Sequence, residues 1–248
     1  MKWSKEQIEK HQNNFDMFKE KYIKGENGRS SIENIWEDKR RCITLIHLLQ
    51  SENIIELPKI IRELNGGIPG FYYQEIPHFT IDYHRYLTAD KLSSGINNIP
   101  LDEQRKRVII DEELSIYGKI LKEQIQKETP YKIELRGIAI GGDGLIAQVW
   151  YDNKRLQEFN GRLGEKVRQE IPTMDFQWGI VKNKVPIRVL NLTRFTGEED
   201  KNKVVDYVDK NRNREIAQLS MDISDLVLSD HYIQKKNTLE LGKYSFRQ

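Results

Sequence analysis

Pro77-His78-Phe79-Thr80-Ile81-Asp82-Tyr83 is a short run with apolar flanks that places one histidine and one threonine two residues apart. Residues two apart on a strand share a face, so His78 and Thr80 point together into whatever the sheet covers. About half a chain later, Arg188-Val189-Leu190-Asn191-Leu192-Thr193-Arg194-Phe195 repeats the spacing with Asn191 and Thr193 on another strand. The second run lacks the histidine of the first.

Between the two lies Gly141-Gly142-Asp143-Gly144, flanked by alternating segments over 131–140 and 145–151. That pattern predicts a β-hairpin with a glycine-supplied turn. A phosphate-cradling glycine loop is disfavoured, because no lysine or helix start follows the glycines. Strands are also expected over 42–49, 225–228 and 239–246. Helices are expected from Leu57 to Leu64, over 101–128, through Leu156, Phe159, Leu163 and Val167, and through Val204, Val205 and Val208.

The N-terminal 40 residues form a helical extension. Ile8, Phe15, Phe18 and Tyr22 fall on one helical face before Gly25 stops the helix, and Ser30 with Glu33 resembles a capping box that opens a short second helix. The apolar face has two candidate docking sites, another protein or this chain's own core. Residues 41–248 are read as a single bilobal domain.

Composition narrows the function classes. Forty basic against 38 acidic residues give a formal charge of +2, not the strong positive balance of a sequence-independent nucleic-acid coat. The Arg105-Lys106-Arg107 and Lys235-Lys236 clusters read as solvated surface. No apolar run approaches the roughly 20 residues that a membrane-spanning helix needs, so no membrane association is expected. One cysteine, Cys42, and no apolar leader after Met1 point to a reducing cytoplasmic location. One cysteine and dispersed histidines give no zinc-ligand spacing, so no metal or other cofactor is expected.

With its Pro77-led strand, the Asn191-x-Thr193 echo and the intervening helices and hairpin in duplicated order, the sequence resembles the two-histidine (2H) phosphoesterase superfamily. That group includes RNA 2',3'-cyclic phosphodiesterases and 2'-5' RNA ligase-like proteins, and the resemblance covers about residues 40 to 248. It implies an α+β fold: two packed lobes of antiparallel sheet, backed by helices, with an H-x-T or H-x-S motif from each lobe lining a central groove. It further implies that the segments over 226–228 and 239–246 are the terminal strand pair.

By that resemblance His78 and Thr80 form the first motif; aligned by threonine, Asn191 stands where the second histidine belongs, and aligned by Arg194-Phe195, Val189 and Asn191 take the motif positions, so neither register supplies a second histidine. His78 would act as general acid or base. Thr80 and Thr193 would hold phosphoryl oxygens, and Asn191 would orient substrate or water. Asparagine cannot exchange a proton at useful pH, and loss of a positioned acid or base forfeits about 10²- to 10⁴-fold in rate. Tyr72 and Tyr73 either stack on a base at the groove rim or pack in the core. Arg194 pairs either with a phosphate oxygen or with an exterior acid, since strict alternation puts it opposite Asn191.

No other histidine replaces the missing one. His84 lies about 20 Å along the strand from His78, His47 reads as a satisfied core residue, and His11 and His231 read as surface residues. Two functions follow. One is a metal-independent phosphodiesterase acting on a 2',3'-cyclic phosphate or a 2'-5' linked nucleotide or RNA end. The alternative is a catalytically silent module that binds a nucleotide or RNA terminus in the groove.

Overall fold

Phe79 and Ile81 are buried in the main core, whereas His78 and Thr80 occupy the other face of the same strand. In the computed structural model the described residues are 3–28, 41–49, 54–87, 103–171, 189–229, 235 and 239–247. They form α1 (Lys5–Lys24), β1 (Arg41–Leu48), α2 (Glu56–Gly67), β2 (Phe71–Tyr73), β3 (His78–Leu87), α3 (Glu103–Ile125), β4 (Tyr131–Ile140), β5 (Leu145–Tyr151), α4 (Asn153–Glu170), β6 (Val189–Asn191), β7 (Thr193–Phe195), α5 (Lys201–Asn211), β8 (Glu215–Met221), β9 (Ile223–Ser229) and β10 (Leu239–Ser245). The expected capping-box helix after Ser30 and His231 lie outside the described residues.

The architecture is α+β, as the sequence implied. One four-stranded sheet has the order β10-β9-β1-β3, a second has the order β6-β5-β4-β8, and β2 and β7 form a two-stranded ribbon; every pair is antiparallel. The edge strands β3 and β6 lie side by side, so the two sheets continue one another. Phe79 meets Tyr151 across this junction with ring centroids 5.7 Å apart.

Leu190, Ala147, Val149 and Tyr151 share that interior with Phe79 and Ile81. The faces that carry His78 and Asn191 therefore look out from the same side of the layer. On the His78 side, Ile46 and Val227 form a small separate apolar cluster, with Leu48 and Ile76 packed against it.

The hairpin expected at Gly141–Gly144 is present, with Ile140 opposite Leu145 and Gly141 N–H donating to Gly144 O. Gly144 is required by space. A Cβ there would run into the backbone of Thr193, so the turn can lie against β7 only without a side chain. β8, with its exposed-buried alternation, was not anticipated from the sequence.

The N-terminal helix docks on its own chain. Ser4 caps it through a bond from the Gln7 amide, and Gly25 ends it at φ 75°. The buried face is Gln7, His11, Phe15 and Tyr22, while Ile8 is half exposed, which corrects the apolar stripe read from the sequence.

The reason lies in β5. Among the described residues its partner β6 pairs with Ile146 to Gln148, and later carbonyls of β5 face α1. α1 takes them over: the Gln7 side chain donates to Tyr151 O, and the His11 ring bonds the Val149 carbonyl. Buried backbone acceptors need such partners. Trp3 to Glu134, Asn27 to Gly141 O and Gly28 to Gly142 O fasten the segment at both ends.

Candidate active site

His78 opens β3 directly after Pro77, and the Pro77 carbonyl accepts from Leu49 N–H, which locks the start of the strand against the end of β1. In the β1 register His78 is opposite Leu48 and Thr80 opposite Ile46, so histidine and threonine do share one face. His78 Nδ1 lies 2.7 Å from Ile76 O. A carbonyl only accepts, so Nδ1 carries the proton and Nε2 keeps the lone pair.

The ring is 3% exposed. Burial pulls its pKa down to about 4; the bond to Ile76 opposes this, and the Arg194 charge adds to it. At neutral pH His78 is an uncharged base of fixed tautomer. Thr80 is half-buried beside it.

Arg194 belongs to β7, opposite Tyr72 of β2. It is not an exterior residue: it is buried and forms an ion pair with Asp143 in the hairpin turn. The guanidinium thus links the turn to His78. Tyr73 is half-buried and edge-on to Phe71, with its phenol pKa raised by burial, and Tyr72 is likewise half-buried.

The second motif is divided by the structure. Asn191 pairs with Ile146 and lines a pocket beneath α1. Thr193 is fully buried, and its hydroxyl accepts from Leu145 N–H at 3.2 Å. That bond ties the β6–β7 segment to the start of β5, which is a structural task for the side chain.

His11 is not a surface residue, contrary to the sequence expectation. It is buried, stacks on Trp150 with centroids 4.1 Å apart, and bonds Val149 O; burial lowers its pKa to about 4. Sequence reasoning took a polar residue at this helix position as solvated, whereas the Val149 carbonyl and the Trp150 ring hold it inside. His47, opposite Phe79 on β1, is half-buried. Among the described residues no group of three or more His, Cys, Asp or Glu side chains is placed to hold a metal ion, and no helix is long and apolar enough to cross a membrane.

No protein-family model matches the sequence, and no curated protein matches it. Solved structures do match the fold. TT0787 of Thermus thermophilus superposes with a TM-score of 0.51 at 15% identity, over 83% of this chain and 98% of its own. A protein described as a phosphoesterase gives a TM-score of 0.51 at 11% identity, over 86% of this chain and 100% of its own.

The chain has the 2H phosphoesterase fold. E. coli LigT, solved with NADP+, is a further match, with a TM-score of 0.48 at 10% identity over 84% of this chain and 99% of its own. In this fold the neighbouring edge strands β3 and β6 carry His78-x-Thr80 and the Asn191 end of the second motif.

Proposed function

We propose that the protein is a cytoplasmic, metal-independent phosphodiesterase acting on a 2',3'-cyclic phosphate or a 2'-5' linked nucleotide or RNA end, with His78 as its proton-transfer group. The observation that carries this reading is the state of His78. It is neutral, held in one tautomer by Ile76 O, and close enough to Arg194 to be influenced by its charge. A bound phosphodiester anion would offset the Arg194 charge and raise the proton affinity of the ring, making it a better base when substrate is present.

The chemistry balances with one histidine. Nε2 takes a proton from the attacking water as its oxygen bonds to phosphorus. The P–O bond to the 2' or 3' oxygen breaks, and the imidazolium returns that proton to the leaving oxygen. Ring strain in a five-membered cyclic phosphate assists departure, so the cyclic substrate suits a one-histidine site better than an unstrained 2'-5' link. In this reading Thr80 donates to a phosphoryl oxygen and Arg194 counters its charge.

A second reading is supported by Asn191 and Thr193: a groove that binds a nucleotide or RNA end without turning it over. Asn191 exchanges no proton, and the Thr193 side chain is buried, its oxygen accepting from Leu145 N–H. Turnover of 2',3'-cyclic nucleotides and 2'-5' dinucleotides in EDTA, with His78→Ala run alongside, separates the two. Cleavage that survives EDTA and vanishes in the variant supports the enzyme. Cleavage equal in both proteins removes His78 from the mechanism, and binding without cleavage leaves the silent module.

A further inference from the structure

The pocket beneath α1 is distinct from the His78 face but joined to it by one ion pair. It measures about 340 Å³ and is lined by Asn14, Phe15 and Phe18 from the helix and by Asp143, Ile146 and Asn191 from the sheet side, among others. That size falls at the lower end of the range for small-molecule sites. Asp143, at its edge, is bound to Arg194, which in turn bears on His78.

The lining specifies the chemistry of an occupant. His11 is neutral, and the Asp143 carboxylate is committed to Arg194, so the pocket offers no net charge to an ionic group. No hydrogen bond to the described residues engages the Asn14 or Asn191 amide. Each amide presents one acceptor and two donor hydrogens, which suits the mixed donor and acceptor edge of a heterocycle. Phe15 and Phe18 supply aromatic wall, and Ile140 and Ile146 close the apolar remainder. A flat, neutral, hydrogen-bonding ring matches this set; a phosphate does not.

We infer that this pocket receives a nucleobase, read by Asn14 and Asn191 and packed against Phe18, so that the N-terminal helix is a wall of the ligand site. The inference rests on the phosphodiester reading of the His78 face, with the phosphate lying on the far side of the Asp143–Arg194 pair.

The probes are the four free ribonucleosides, which carry no phosphate, and the four 2',3'-cyclic nucleotides. Amide NMR shifts of the full chain report binding, and melting curves confirm that Asn14→Leu and Phe18→Leu remain folded. The expected result is nucleoside-induced shifts at Asn14, Gly142 and Asn191, with affinity weakened about tenfold by Asn14→Leu, the loss of one good polar contact, and unchanged by Thr80→Val. Nucleosides that do not bind, or that bind both helix variants as well as wild type, overturn the inference. If cyclic nucleotides are still turned over through His78 in that case, the function reading survives alone. If nucleosides bind through Asn14 while His78→Ala changes nothing for any cyclic nucleotide, the pocket stands and the catalytic reading falls.

Discussion

Arg194 reaches across from the hairpin turn, where Asp143 holds it, and depresses the basicity of His78. Replacing Arg194 with Gln removes a positive charge near the imidazole, so the pKa of His78 should rise from about 4 while staying below 6.5, because burial is the larger cause of the depression. Titration of the His78 ring by NMR in both proteins checks this. An unchanged or lower value in the variant would contradict the electrostatic link.

Two buried neutral histidines make stability depend on pH. His11 and His78 both have folded pKa values near 4 against 6.5 when exposed. Between those values the unfolded chain binds more protons, so stability is complete above about pH 6.5 and falls as pH drops toward 4. The loss is on the order of 3 kcal/mol for each ring, from 1.36 kcal/mol per unit. Urea unfolding at several pH values should show the slope, and His11→Phe, which keeps a ring against Trp150, should remove roughly half of it.

Docking of α1 on its own chain has an energetic signature. Phe15→Ala opens a cavity under the helix and should cost about 3–5 kcal/mol, measured by urea denaturation. Ile8→Ala, on the half-exposed side, should change stability by less than about 0.5 kcal/mol. Equal effects at the two positions would mean that the helix is not seated as described.

Gly144 is a steric control on the site. Gly144→Ala forces the hairpin turn away from the Thr193 backbone, which loosens the Leu145 to Thr193 bond and shifts the Asp143–Arg194 pair. The expected outcome is a lower Tm together with a change in the His78 titration. Gly142→Ala, where a Cβ meets nothing within 4 Å, should leave both unaltered.

Much of this was legible in the sequence because local rules wrote it. Alternation marked β4 and β5, glycines marked the turn between them, and Gly25 marked the end of α1. The shared face of His78 and Thr80 needed only the period of a strand. The role of His11 was hidden because it depends on the Val149 carbonyl and the Trp150 ring, which lie on a strand far away in the sequence. Thr193 differs for a similar reason: its spacing from Asn191 suggested a ligand contact, but its side chain is buried, with the oxygen accepting from the Leu145 backbone. For Arg194 the sequence leaves a phosphate oxygen and an exterior acid as alternatives, and the structure shows it buried and paired with Asp143 in the hairpin turn.

The docked helix also sets an order of events in synthesis. α1 is made well before its partners: Glu134 for Trp3, Tyr151 for Gln7, Phe195 for Tyr22 and Asp209 for Lys19. Contacts so distant along the chain close late and slow folding. During translation the helix must wait, with Phe15 and Tyr22 uncovered, until the second sheet and α5 have left the ribosome. The segment that covers the finished pocket is thus the one most in need of protection while the rest of the chain is being made.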